Sequence, residues 1–238
     1  MSFSNVKPSF EMVVQLMKPQ TINIMRTLIL SLAALFIFTL SYAQGSAKSK
    51  SILENANQEY EKSEGIKLIF TINTEDSYGS AYEPQAGTAM VKGNKFKLDF
   101  PYATTWFDGK TQWVLLKNAN EVNISNPSAE ELATISPLAL LNMYKTGYVL
   151  KDPRSRTIKG IEVFEIGMTP TNKSHELKTI SIAINKKTNA IVEIEFTTNN
   201  GISNRIAVSE FNLNDRYSND LFSFNKLNHP GVEVIDLR

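Results

Sequence analysis

The chain has 238 residues, with 25 basic and 24 acidic side chains, two histidines and no cysteine. The missing cysteines exclude a disulfide framework and a thiolate metal site. The near-neutral charge leaves no electrostatic footprint for nucleic acid or an anionic membrane surface.

The first block reads as a targeting segment. Leu28–Leu40 is a short, mostly apolar run, preceded by Met25-Arg26 and followed by Ser41-Tyr42-Ala43. A basic flank, an apolar core and small residues before a cleavage point make a secretory signal peptide over residues 1–43. The run falls short of the roughly 20 residues a membrane helix needs. Residues 1–24 add nothing a signal requires, so Met25 reads as the start, and 1–24 as a spurious or extended N-terminus. The other reading is an uncleaved anchor. No cysteine follows the run to carry a lipid. Removing 1–43 also removes Lys7, Lys18, Arg26 and Glu11, leaving 22 basic and 23 acidic residues. Residues 44–238 are read as a single domain, long enough to be stabilised by its own core.

Lys48–Glu64 is the first helix candidate. Ile52, Leu53, Ala56 and Tyr60 form one narrow apolar stripe, and Gly65 is read as the stop. Such a helix should lie on the surface of something larger. Ile66–Asn73 then alternates, with Ile66, Leu68, Phe70 and Ile72 on one face. Tyr78–Ala86, with Gly79 and Pro84, reads as a loop. The stretch Gly87–Ile124 reads as a meander. In Lys95–Phe100, Phe96, Leu98 and Phe100 point one way and Lys95, Lys97 and Asp99 the other. Asp108-Gly109 separates TTWF from TQWVLL and predicts a two-residue type I′ hairpin.

Pro127–Tyr144 interrupts the strands. Ser128 and Glu131 form a capping box. Pro137 sits at the first position of a second helical segment running to Tyr144 and ended by Gly147. That segment is apolar nearly all round, so it should fold over a sheet face or a barrel mouth. Strands resume with a turn at Lys159-Gly160, then Leu177–Asn185, Ala190–Thr198, Ser203–Leu213 after Asn199-Asn200-Gly201, and Val232–Ile235. Ten or eleven strands, nearly all hairpin-connected, predict a mainly β (α+β) fold: an antiparallel sheet that curls and closes or partly closes.

Chemistry is sparse. His175 lies in a polar loop and His229 in the tail, neither with a carboxylate at a motif spacing. There is no nucleophile elbow, no phosphate loop and no paired-carboxylate motif. Asp108 is in a turn for its backbone conformation. No enzyme and no cofactor are expected. The apolar set is richer: Phe70, Phe96, Leu98, Phe100, Trp106, Trp113 and Leu115 on strands, with Leu138, Leu141 and Tyr144 in the helical segment. Either these fill an ordinary barrel core, or they line a cavity for an apolar ligand under a helical lid. Composition does not separate the two.

Three motifs bear on that choice: G-x-x-x-x-K-G-x-K-F-x-L at Gly87–Leu98, T-T-W-F-D-G-K-T-Q-W at Thr104–Trp113 and N-E-V-N-I-S-N-P at Asn120–Pro127. With the order helix, meander, helical insertion, strands, the chain resembles the LolA family of periplasmic lipoprotein carriers. The resemblance implies an incomplete, strongly curved antiparallel barrel with helices as a lid over an apolar cavity. It implies a monomeric periplasmic chaperone for the acyl chains of outer-membrane lipoproteins, loaded by an inner-membrane ABC transporter and unloaded at an outer-membrane acceptor. The ten apolar residues above would be its lining. A different lipid carrier or an envelope-stress sensor of the same shape is the alternative. The family's carriers hold the lid with an arginine on an early strand. No arginine occurs in Gly87–Ile124, which leaves Lys97 or Asp99 as the stand-in.

Overall fold

A computed structural model of the chain describes residues 46–129, 131–132, 137–145, 147–172 and 174–238, with the side chains of Pro137 and Leu138 left aside. The signal segment, read over 1–43, lies outside the described residues. The first helix, α1, runs over residues 46–62. Its predicted stripe is the face it buries: Leu53, Ala56 and Tyr60 are in the core, with Ile52 half-buried beside them. Ser49 extends that face by donating from Oγ to the Lys151 carbonyl at 2.6 Å. Tyr60 anchors the other end. Its hydroxyl donates to the Asn189 carbonyl at 2.7 Å and accepts from the Ile191 amide at 3.1 Å. Gly65 is not the left-handed stop expected of it. A Cβ there would lie 2.6 Å from the Asp215 carbonyl oxygen, so glycine is required by the close approach of the returning chain.

Thirteen strands follow among the described residues. The first six are β1 (Ile66–Glu75), β2 (Gln85–Lys92), β3 (Lys95–Asp99), β4 (Ala103–Phe107), β5 (Gln112–Leu116) and β6 (Glu121–Ser125). The rest are β7 (Tyr148–Leu150), β8 (Arg154–Ile158), β9 (Ile161–Pro170), β10 (Leu177–Asn185), β11 (Ile191–Thr198), β12 (Ser203–Asn212) and β13 (Glu233–Asp236). The count exceeds ten or eleven; Tyr148–Leu150, which the pattern did not mark as a strand, pairs at one edge as β7, while β13 stands at the last strand expected over Val232–Ile235. The predicted loop over Tyr78–Ala86 ends two residues sooner, at the start of β2.

The strands form one sheet built from two meanders, β1 to β6 and β9 to β12, joined where β1 pairs antiparallel with β12. Both β7 and β8 pair with β9, along different stretches of one edge. Between them, Lys151-Asp152-Pro153 stands opposite only Ile166-Gly167, a bulge at a proline on an edge strand. At the other edge β13 adds to β6 in parallel. The sheet is open and strongly curved, as the alternating pattern predicts. One core cluster joins side chains of β1 to β4, β9 to β12, α1 and the helical insertion on its inner face.

The hairpins separate two kinds of turn. At Lys159-Gly160 both residues have positive φ, 47° and 83°, the type I′ pattern. At Asp108-Gly109 only the glycine does, at 103°. The expected two-residue turn is a four-residue loop instead, because Phe107 pairs with Gln112. Asp108 organises it by accepting through Oδ1 from the Lys110 and Thr111 amides at 2.9 and 2.8 Å.

The insertion between β6 and β7 begins with the predicted capping box. The Ser128 amide donates to Glu131 Oε2 at 2.6 Å, and the Glu131 amide to Ser128 Oγ at 3.2 Å. The second helical segment is not continuous. Helix α2 covers Pro137–Leu140 and a 3₁₀ turn covers Met143–Lys145. Across the break Leu140, Leu141 and Met143 are all buried in the core. Each such burial is worth roughly 1.5–3 kcal/mol.

Candidate ligand-binding site

The site follows from the parity of the strands. Residues paired across an antiparallel ladder share a face. Phe96 pairs with Phe107, and their rings stack with centroids 5.2 Å apart on the inner face. Leu98 and Phe70 lie on that face too, and Phe100 packs edge-on to Phe70 at 5.8 Å. The Phe70–Phe100 contact depends on Gly87, which pairs with Phe70. A Cβ there would lie 2.7 Å from the Phe100 ring and 2.8 Å from that of Phe70.

Above this wall sits a cavity of about 360 Å³, within the roughly 300–1,000 Å³ of small-molecule sites. Its apolar floor is Ile66, Val91, Phe96 and Phe107, and its cover is Leu132 and Ala139 from the insertion. Asn57 and Glu61 of α1, Asn94 of the β2–β3 turn and Asn142 of the insertion complete the rim. A side-chain chain crosses the seam between the two helical pieces. Asn142 Nδ2 donates to Asn57 Oδ1 at 3.0 Å, and Asn57 Nδ2 to Glu61 Oε1 at 2.6 Å.

Of the ten residues expected to line one cavity, the structure brings six together. Phe70, Phe96, Leu98 and Leu141 are buried in the inner cluster, with Phe100 and Tyr144 half-buried against it. Only Phe96 borders the cavity itself; the others back it. The phenol of Tyr144 is pushed above its ordinary pKa, by burial first and then by the negative potential of Glu54 and Glu61. The side chain of Leu138 lies outside the described residues.

Trp106, Trp113 and Leu115 are a correction. They lie on the opposite face. Trp106 pairs with Lys97 and Trp113, and Leu115 with Val122. The aromatic content of TTWF and QWVLL suggests an inward face, but the loop at Pro101-Tyr102 resets the parity, so Phe107 and not Trp106 follows Phe96 inward. The two tryptophans belong to an outer cluster with Leu115, Val122, Val232 and Phe224. The tail of the chain covers it: His229 stacks on Phe224 at 5.1 Å and meets Trp106 edge-on at 5.7 Å. The lid stand-ins are also placed outside. The Lys97 ammonium lies over the Trp106 ring, 5.7 Å from its centroid. Asp99 accepts from Lys117 at 2.9 Å and from the Thr104 hydroxyl at 2.7 Å.

Phe107, Ile66, Val91, Leu132 and the three asparagines are the residues that sequence reading missed. Leu132 had a visible signal, the capping box; Phe107 had none, since the loop before it resets the parity. The asparagines had none, since polar residues on a helix face read as solvated. The remaining ring groups have structural partners. His175 lies against the Tyr148 ring at 4.8 Å. Among the described residues no cluster of three or more histidines or carboxylates is arranged to hold a metal. An apolar floor under a rim of three amides and the Glu61 carboxylate can hold an amphiphile.

Comparison with known proteins agrees with this geometry. A family described as outer membrane lipoprotein carrier protein LolA matches residues 39–198. No curated protein matches the chain in sequence. Among solved structures, an uncharacterized conserved protein from Thermus thermophilus superposes with a TM-score of 0.53 at 12% identity, over 79% of this chain and 99% of that one. An outer membrane lipoprotein-sorting protein domain from Vibrio parahaemolyticus gives 0.46 at 12% identity, over 75% and 97%. A LolA superfamily protein from Nitrosomonas europaea gives 0.42 at 13% identity, over 74% and 97%.

Proposed function

We propose, for a chain that belongs to the LolA family of outer membrane lipoprotein carriers, that it is an exported chaperone shielding lipoprotein acyl chains as they cross the periplasm. The observation that supports this reading is the cavity of about 360 Å³ between the inner face and the helices, apolar at its floor and polar only at its rim. Each buried CH₂ is worth roughly 0.8 kcal/mol, so an acyl chain does not cross water unshielded. The task is binding and release, with no bond made or broken.

In this reading an inner-membrane lipoprotein-releasing ABC transporter loads the cavity and an outer-membrane acceptor empties it, with the carrier working as a monomer. Loading separates α1 from the insertion. The polar link across that seam is the Asn142–Asn57 bond with its Glu61 extension. A neutral hydrogen bond contributes only about 0.5–1.5 kcal/mol net, weak enough for cargo to displace. It takes the place of the arginine latch that this chain lacks in its early strands.

The test is capture. The purified protein is mixed with a triacylated lipoprotein in detergent below its critical concentration, and the complex is isolated by size exclusion. The wild type should retain lipoprotein in solution, and Phe96→Glu, which puts a charge on the cavity floor, should lose it. Equal retention by a folded Phe96→Glu variant overturns the assignment of the cavity. Mass spectrometry of material copurified from the cell envelope checks the identity of the cargo.

A further inference from the structure

The end of the chain supplies both the last strand of the sheet and part of the cover over the outer aromatic cluster, and it fits both places poorly. Of residues 225–238 only Val232 is buried, with His229 and Ile235 half-buried, and Leu227 is 89% exposed. The strand in this segment, β13, meets β6 over four residues, and two of the four are mismatched. Glu233 lies beside Glu121. Glu121 receives a hydrogen bond from Asn123 Nδ2 at 2.7 Å, but among the described residues no cation pairs with either carboxylate, and like charges side by side destabilise a strand pair. Asp236 lies beside Ile124, at the end of the row that runs on through Trp113 and Trp106, and its charge is met by Arg238 on the same strand end. Val234 beside Val122 is the one apolar pair. Beneath this weak cover lie Trp106, Trp113, Leu115 and Val122, with the Lys97 ammonium over the Trp106 ring. Tryptophans backed by aliphatic side chains are what protein interfaces are built around.

We infer that residues 225–238 are a displaceable cover, and that the β6 edge with the tryptophan cluster behind it is a docking site for an extended segment of a partner protein. The site states the chemistry of that segment. It pairs with β6 as a strand, and it carries a lysine or arginine beside Glu121 and apolar side chains beside Val122 and Ile124. The chain's own β13 supplies only the second of these three, so a segment with all of them replaces it. The inference uses the outer face and stands apart from the carrier reading, which uses the cavity.

The test uses two fluorescein-labelled peptides of residues 225–238, one of the natural sequence and one with Glu233→Lys and Asp236→Val, titrated against the purified protein and read by anisotropy. The substituted peptide should bind about tenfold tighter, because a like-charge pair becomes an opposite one and an apolar pair is gained. The chain has no cysteine, so Val122→Cys with Val234→Cys makes a single disulfide between register neighbours. A covered site binds only through its open fraction. Oxidised, this variant should therefore lose the substituted peptide and shield its tryptophans from acrylamide; reduced, it should recover both. Trp106 and Trp113 are the chain's two tryptophans and both lie in the cluster, so the quenching reports the cover alone. If the cysteine pair does not fold, Glu233→Lys in the whole protein decides: it tightens the chain's own strand and should weaken peptide binding severalfold. Equal affinity for the two peptides, binding by the oxidised variant that matches the reduced one, or a Glu233→Lys protein that binds peptide as the wild type does, overturns the docking site and leaves the cavity assignment untouched.

Discussion

The outer face of the sheet is two different surfaces. Over β4 to β6 it carries Trp106, Trp113, Leu115 and Val122, and the tail lies across it with Phe224, His229 and Val232. Over β8, β9, β11 and β12 it carries an ion-pair ladder. Arg156 bonds Glu165 at 2.7 Å and also reaches Glu193, Arg154 lies 3.3 Å from Glu165, and Arg205 bonds Glu195 at 2.6 Å. The apolar cluster of the inner face backs the ladder strands β9, β11 and β12 and extends to β4, but takes no residue from β5 or β6. The difference shows that alternation along a strand reports that two faces exist, while the chain elsewhere decides whether the second face meets water.

The comparison can be broken most severely from inside. Leu141 is fully buried, so Leu141→Asp places an unpaired charge in the inner cluster. It should lower stability by about 4 kcal/mol or more, read from the urea midpoint. The structure thus makes this a folding variant, where a lid residue in loose contact would alter binding alone. Next come a matched pair, Phe107→Ala and Trp106→Ala, each costing about 3 kcal/mol. Their capture of acylated cargo should differ: Phe107→Ala weakens it, because Phe107 is part of the cavity floor, and Trp106→Ala leaves it intact, because Trp106 is on the far side. Loss of capture in a folded Trp106→Ala would show that the two faces are not independent. Asp108→Ala removes both side-chain bonds that close the β4–β5 loop and should cost about 1 kcal/mol.

The smallest effects belong to the exposed ladder. Arg156→Ala should change stability by about 1 kcal/mol, since the arginine side chain is 39% exposed although its partners Glu165 and Glu193 are only 13% and 12% exposed, and the difference should shrink in 1 M salt. Asp99 gives the pH counterpart. Burial raises its pKa, but the hydrogen bonds from Lys117 and Thr104 outweigh burial and hold the carboxyl below its usual value. A folded-state pKa below the unfolded one contributes stability above the unfolded value, and that stability is lost as pH falls through the folded one. Asp99→Asn should therefore flatten the acid limb of the stability profile while leaving the alkaline side parallel to wild type.

Much of this architecture is legible in the sequence because it is local. The α1 stripe, the Ile66 to Ile72 alternation, the Ser128–Glu131 box and the Leu177–Asn185 strand need only period and capping rules, and each stands where those rules place it. The errors begin where a residue's role depends on a distant segment. Gly65 answers to Asp215, and Trp106 answers to Phe224 and His229. In the candidate site, the apolar wall at Phe70, Phe96 and Leu98 was readable from KFKLDF and its neighbours. The parity after Pro101-Tyr102 was not, because a loop of unknown conformation carries no period. The asparagine rim was not either, since Asn57 and Asn142 acquire meaning only when α1 meets a turn 85 residues further along the chain.

The pairing of β1 with β12 has a consequence in time. Lys67 lies beside Asn212, and Val234 beside Val122, so the two meanders are joined, and the last strand is added, by partners remote in sequence. Contacts this remote along the chain form slowly, because the loop between them must close first. An unfinished or partly emerged chain has β1 with one neighbour missing and no far wall for its apolar face. Such a chain stays threadable, and the container acquires an inside only when its last strands arrive.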